Sequence, residues 1–137
     1  LAEAYRSANR LDLASDAYRA SASIPGTAQA KARAKYAQLL LNRSDAAQNA
    51  PAIVKLLSDA LNDPFVQKDP PAREATLYTL GEAYFVSRDW VAAEEALKKA
   101  IEEKPDSQYA PSARLYLAKT HWFRAREEAT KIKQDQA

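Results

Sequence analysis

The chain has 137 residues, 20 of them basic and 18 acidic, for a formal charge of +2. That length fits one domain with a modest core, and the charge balance gives no reason to expect nucleic acid or an anionic membrane surface as partner. Without cysteine there is no disulfide, thiolate zinc site or redox pair, and no apolar run approaches the ~20 residues of a membrane span.

Abundant alanine, only two glycines and few alternating β-branched runs favour helix throughout. In chain order, helices are predicted near 1–8, 11–23, 28–43, 50–62, 71–88, 90–103, 109–124 and 126–135. Leu1 already sits inside a helical pattern and no initiator Met precedes it, so the chain reads as an excerpt of a longer protein or a processed one. Pro25-Gly26, Asp63-Pro64 and Lys104-Pro105 break the helical pattern. Lys31, Arg33, Lys35 and Arg43 form a basic run with no acid between 31 and 44. It is either a patch for an acidic peptide or terminal carboxylate or a solvated helix face.

The connection from Phe65 to Pro71 ends in Asp69-Pro70-Pro71, a cap and first turn for the next helix. Asp89 is placed to cap the helix after that. Glu94-Glu95, Lys98-Lys99 and Glu102-Glu103 alternate in sign four apart, as on an exposed helix face. No Gly or Pro follows Pro111, and the tail from Arg124 is mostly charged. It reads as a separate polar capping helix or as one long helix running on from 109.

A grammar repeats along this series. One unit is large-small-x-x-large: Leu1-Ala2 with Tyr5, Tyr36-Ala37 with Leu40, Leu80-Gly81 with Tyr84, Leu117-Ala118 with His121. Between these lie second units: Ala14, Tyr18 and Ser21; Ile53, Leu57 and Ala60; Ala93, Leu97 and Ala100. Two helices that cross closely need a small residue where their backbones approach and large residues around it. Between Arg73 and Asp106 the spacing of Leu77, Leu80-Gly81, Tyr84, Ala93, Leu97 and Pro105 resembles the tetratricopeptide repeat (TPR). Leu77 and Leu97 stand where that family often has Trp and Phe, and Trp90 and Ala100 match its aromatic and small positions. The resemblance implies an all-α fold, a right-handed solenoid of antiparallel helix hairpins. About three and a half repeats would form one domain, near 1–26, 28–66, 73–107 and 109–137. From Ala37 to Ile53 is four residues longer than from Gly81 to Ala93, which predicts an enlarged hairpin loop around Arg43 to Asn49.

In this family the first helix of each hairpin lines a concave face that holds an extended peptide or a partner helix. The resemblance therefore places a partner groove on Lys31, Gln38, Tyr78, Glu82, Phe85, Lys119 and Trp122, with Tyr78 and Trp122 as exposed anchors. The aromatic residues are equally readable as packing between repeats. Some family members clamp a carboxylate with paired Lys and Asn; Gln38, Glu82 and Lys119 occupy those places, so that clamp is not expected. His121, the single histidine, replaces a packing Tyr and is read as a half-buried packing residue. No Gly-rich phosphate loop, His-Glu-x-x-His or Gly-x-Ser-x-Gly occurs. The function expected is that of a protein- or peptide-binding scaffold, with no enzymatic activity, cofactor, metal, nucleic acid or membrane insertion. The alternatives are a structural, self-associating segment of a longer solenoid and an accessory domain of a larger enzyme. The stretch from Pro105 to Pro111 resembles linkers in bacterial envelope assembly proteins.

Overall fold

A computed structural model of the protein describes residues 27–42 and 46–136. They form α1 (Thr27–Leu41), α2 (Ala46–Leu61), the short α3 (Pro64–Gln67), α4 (Pro70–Val86), α5 (Trp90–Glu103) and α6 (Ala110–Gln136). Among the described residues there is no strand. The helices expected at 1–8 and 11–23 lie outside these residues.

One predicted boundary changes, and one open alternative is decided. The second helix was expected from 50, but α2 starts at Ala46, with Pro51 in its second turn. The extra residues of the expected loop thus extend the helix at its start. The stretch from 109 was readable as two helices, 109–124 and 126–135, or as one long helix, and α6 runs unbroken for 27 residues. Nothing between Pro111 and Gln136 lacks an N–H or favours a turn, so nothing interrupts the ladder. The connection at 65–71 also holds α3, capped by Asp63, whose carboxylate accepts from the Phe65 N–H at 2.9 Å.

The caps read from the sequence are made. Asp69 accepts from the Ala72 N–H at 3.4 Å ahead of Pro70 and Pro71, and Asp89 accepts from the Ala92 N–H at 3.2 Å. Each satisfies one of the free donors of a helix start. Between these helices Arg88 adopts φ 62°. The Asp89 N–H then reaches the Tyr84 carbonyl and the Arg88 N–H the Phe85 carbonyl, both at 3.0 Å. This is a Schellman turn with arginine at a position that favours glycine.

α4 is the central element and packs against every other described helix. On one side Leu80 and Ala83 join Ala37, Ile53 and Leu57 of α1 and α2, with Leu40, Val54, Leu61 and Tyr84 around them. On the other, Tyr78 joins Leu97 of α5 and Ala113 of α6, with Ile101, Tyr109, Tyr116 and Leu117. Gly81 sits at the closest approach. A Cβ there would lie 2.5 Å from Cδ2 of Leu97, itself fully buried, so any larger residue would have to displace Leu97. Two threonines, buried and β-branched, interrupt the apolar face of α4 without cost in unmet bonds. Thr76 and Thr79 donate to the Ala72 and Ala75 carbonyls at 2.7 Å.

Candidate functional site

α1, α4 and α6 share one face of the molecule, and most of the sequence-selected residues meet on it. On α1, Gln38 donates from Nε2 to Oγ1 of Thr79 on α4 at 3.1 Å. At the preceding position of α4, the Tyr78 ring stacks on Tyr109 (centroids 5.1 Å apart) and meets Tyr116 edge-on at 6.3 Å. Tyr116 touches Phe85 edge-on at 5.2 Å, and Nζ of Lys119 lies 5.3 Å from its ring centre. Gln38, Tyr78, Glu82, Phe85 and Lys119 thus form one connected patch across three helices, with Tyr116 as its hub.

The electrostatics of the patch centre on Glu82. Its polar neighbour is the Tyr78 hydroxyl, which also lies near Ser112. Burial raises the Glu82 pKa above the usual carboxylate range, and the hydrogen bond from Tyr78 opposes this only in part. Burial, and then the Glu82 charge, push the Tyr78 hydroxyl far above its ordinary range; Tyr116 is raised for the same two reasons. Next to the Tyr78–Tyr109 stack a cavity of about 210 Å³ opens between Lys35 and Gln38 of α1 and Gln108 and Tyr109.

The positions differ from expectation in two respects. Tyr78 was expected as an exposed anchor, yet it is 7 % exposed, because α6 lies over it and covers its ring with Tyr109 and Tyr116. His121 was expected half-buried and is exposed, because no described helix crosses α6 on that side. Trp122 is exposed as expected, at 56 %. Phe85 is half-buried within an aromatic knot: it contacts Trp90 and Phe123 edge-on at 5.5 and 5.7 Å. Lys31 belongs to α1, and its side chain lies outside the described residues.

The residues that sequence reasoning missed are Tyr109 and Tyr116. They stand seven apart on one helical segment, two turns up a single face, and that spacing was the available signal. Also unanticipated is the tether of the far half of α6. Glu127 accepts from Nε1 of Trp90 at 2.6 Å and pairs with Arg88 at 2.9 Å through its other oxygen. The Trp90 ring stacks on Phe123 with centroids 5.8 Å apart.

A cavity of about 200 Å³ lies away from this patch, between α3, α4 and α5, near Glu74 and Leu77. Its charges are paired, Arg73 with Glu103 at 2.7 Å and Lys104 with Glu74 at 3.5 Å. Among the described residues no three potential metal ligands converge, and no helix is long and apolar enough to cross a membrane. Comparison with family models, with curated proteins and with solved structures finds no match for this chain.

Proposed function

We propose that the protein is a TPR-type helical solenoid that binds a peptide or helical segment of another protein on the face shared by α1, α4 and α6. The observation that carries this reading is the continuity of the patch. Tyr78, Phe85 and Lys119 meet around the Tyr116 ring, and Gln38 of α1 donates to Thr79, the residue next to Tyr78 on α4. Aromatic rings beside amide and charged groups are the side chains that dominate binding energy at interfaces. Glu82, half-buried beside Tyr78, supplies an acceptor for a donor of the bound segment. The protein acts in this reading by holding a partner, not by catalysis.

A displayed library of random peptides, selected on the intact chain, tests the reading. Enriched peptides should shift the backbone NMR signals of Gln38, Glu82, Tyr116 and Lys119, and Glu82→Arg should abolish their binding while the circular dichroism spectrum stays helical. Absence of enrichment, or shifts confined to the side carrying Val91 and Lys98, would refute it.

A further inference from the structure

α6 carries apolar residues on two opposite sides. Ala113 and Thr120 are buried, and Tyr116, Leu117 and Phe123 are half-buried, against α4 and α5. On the other side Pro111, Leu115, Ala118, Trp122, Ala125, Ala129 and Ile132 alternate at spacings of four and three. Every one of the seven is exposed, with Leu115, Trp122 and Ile132 at 55–57 %. A strict 3.5-residue repeat over more than three heptads is the seam of a helix meant to lie along another helix.

The molecule contains its own precedent for what such a surface receives. In the repeated grammar Ala118 matches Gly81, so Leu115, Lys119 and Trp122 match Tyr78, Glu82 and Phe85. On α4 that stripe is largely covered, with Tyr78 and Gly81 buried and Glu82 and Phe85 half-buried: α5 crosses at Gly81, and α6 packs on Tyr78 and Phe85. α4 ends at Val86 and turns through Arg88, which sends α5 back over it. α6 instead runs on to Gln136, so the tight hairpin that covers Gly81 has no counterpart at Ala118.

Charge selects among occupants. On one flank of the seam Lys119, Arg126 and Lys133 recur every seven residues, all exposed and without an acidic partner among the described residues. Lys119 and Arg126 instead lie over the rings of Tyr116 and Trp122, the latter at 5.2 Å. A second copy laid antiparallel would set Lys119 against Lys133 and Arg126 against Arg126, like charges along this flank, while Arg114 and His121 on the other flank would meet Asp135 and Glu128.

We propose that the outer seam of α6 docks an amphipathic helix of a different protein, one with acidic residues along the flank that faces Lys119, Arg126 and Lys133. Trp122 is the central anchor, and the alanines at 118, 125 and 129 let the two backbones approach closely. The surface shares Lys119 with the edge of the Gln38–Glu82 patch, but its apolar seam and its anchor Trp122 lie outside that patch.

The probe is a synthetic helix of about four heptads, apolar along its seam, with Glu on both flanks, and a twin with Lys in place of Glu. Binding to the intact chain is measured by calorimetry. The Glu helix should bind about tenfold tighter than its twin or better, Trp122→Glu should remove binding, and the triple change of Lys119, Arg126 and Lys133 to Glu should invert the preference. All these positions are exposed, so unchanged thermal melting verifies that the variants fold. Glu82→Arg should leave this binding untouched, which separates it from the groove. Equal binding of the two helices, no binding of either, or a dimer in light scattering that Trp122→Glu dissolves would each overturn the proposal.

Discussion

α4 and α6 are built on the same pattern and meet opposite fates. Both carry a small residue flanked by large ones, Leu80-Gly81-x-x-Tyr84 and Leu117-Ala118-x-x-His121. Around Gly81 every position from Thr76 to Gly81 is buried; around Ala118 the chain faces solvent. The difference lies in the neighbours. α4 has helices on both sides, and the crossing of α5 leaves no room even for a Cβ at Gly81. α6 has helices on one side only. A residue pattern that encodes a crossing is therefore a capacity, and a partner helix turns it into a core.

Stability measurements can break that comparison. The largest effect is expected from Leu97→Ala, which empties the space beside Gly81. It should cost about 2–5 kcal/mol in denaturant unfolding. Gly81→Ala gains about 1 kcal/mol of helix propensity but forces a buried Leu97 to move, so a net loss of about 1–2 kcal/mol is expected. The matching change on α6, Ala118→Leu, should fall within about 0.5 kcal/mol of the parent. Equal losses at 81 and 118 would mean that the α6 seam is covered in solution.

A smaller effect is expected at the tether of α6. Trp90→Phe keeps the stack on Phe123 but removes the donor to Glu127. A loss of about 0.5–1.5 kcal/mol should follow, with faster amide exchange at Glu127–Gln134.

The smallest and most diagnostic effect is a pH dependence at Glu82. Its folded-state pKa is raised, so the stability linked to it is fully present below the unfolded pKa and is lost as pH rises through the folded one. Glu82→Gln should then melt higher than the parent at pH 7 to 8, and the gap should close as the pH falls toward the ordinary carboxylate pKa of about 4.3. A gap that widens in acid would mean that a cation pairs with Glu82.

Much of the fold was legible in the residues. The helices at 71–88 and 90–103 are found almost as read, because Asp69, Asp89 and Pro105 punctuate them at each end. The long α6 was readable as one of two alternatives, since no breaker follows Pro111. The early start of α2 was obscured because Pro51 resembles a helix start, yet it stands inside the helix, where it gives up the bond to the Ala47 carbonyl. For the candidate patch, the choice of helix faces brought Gln38, Glu82, Phe85 and Lys119 together. The burial of Tyr78 was not legible. A tyrosine on an outward face of its own helix becomes core only when the next helix lays Tyr109 and Tyr116 over it.

The sequence by itself determined the local matters: the helices of the described residues, the caps, the small residue at 81 and the alternation of Glu and Lys along α5. These depend on residues within a few turns of one another, where backbone donors, proline geometry and side-chain volume act directly. Only the tertiary structure decided which apolar stripe of each helix is covered. α6 displays two stripes, and nothing in its own residues ranks them; the packing of α4 and α5 buried one and left the other to solvent. The tether at Glu127 has the same origin, since Arg88, Trp90 and Glu127 are brought together only by the crossing of α4, α5 and α6.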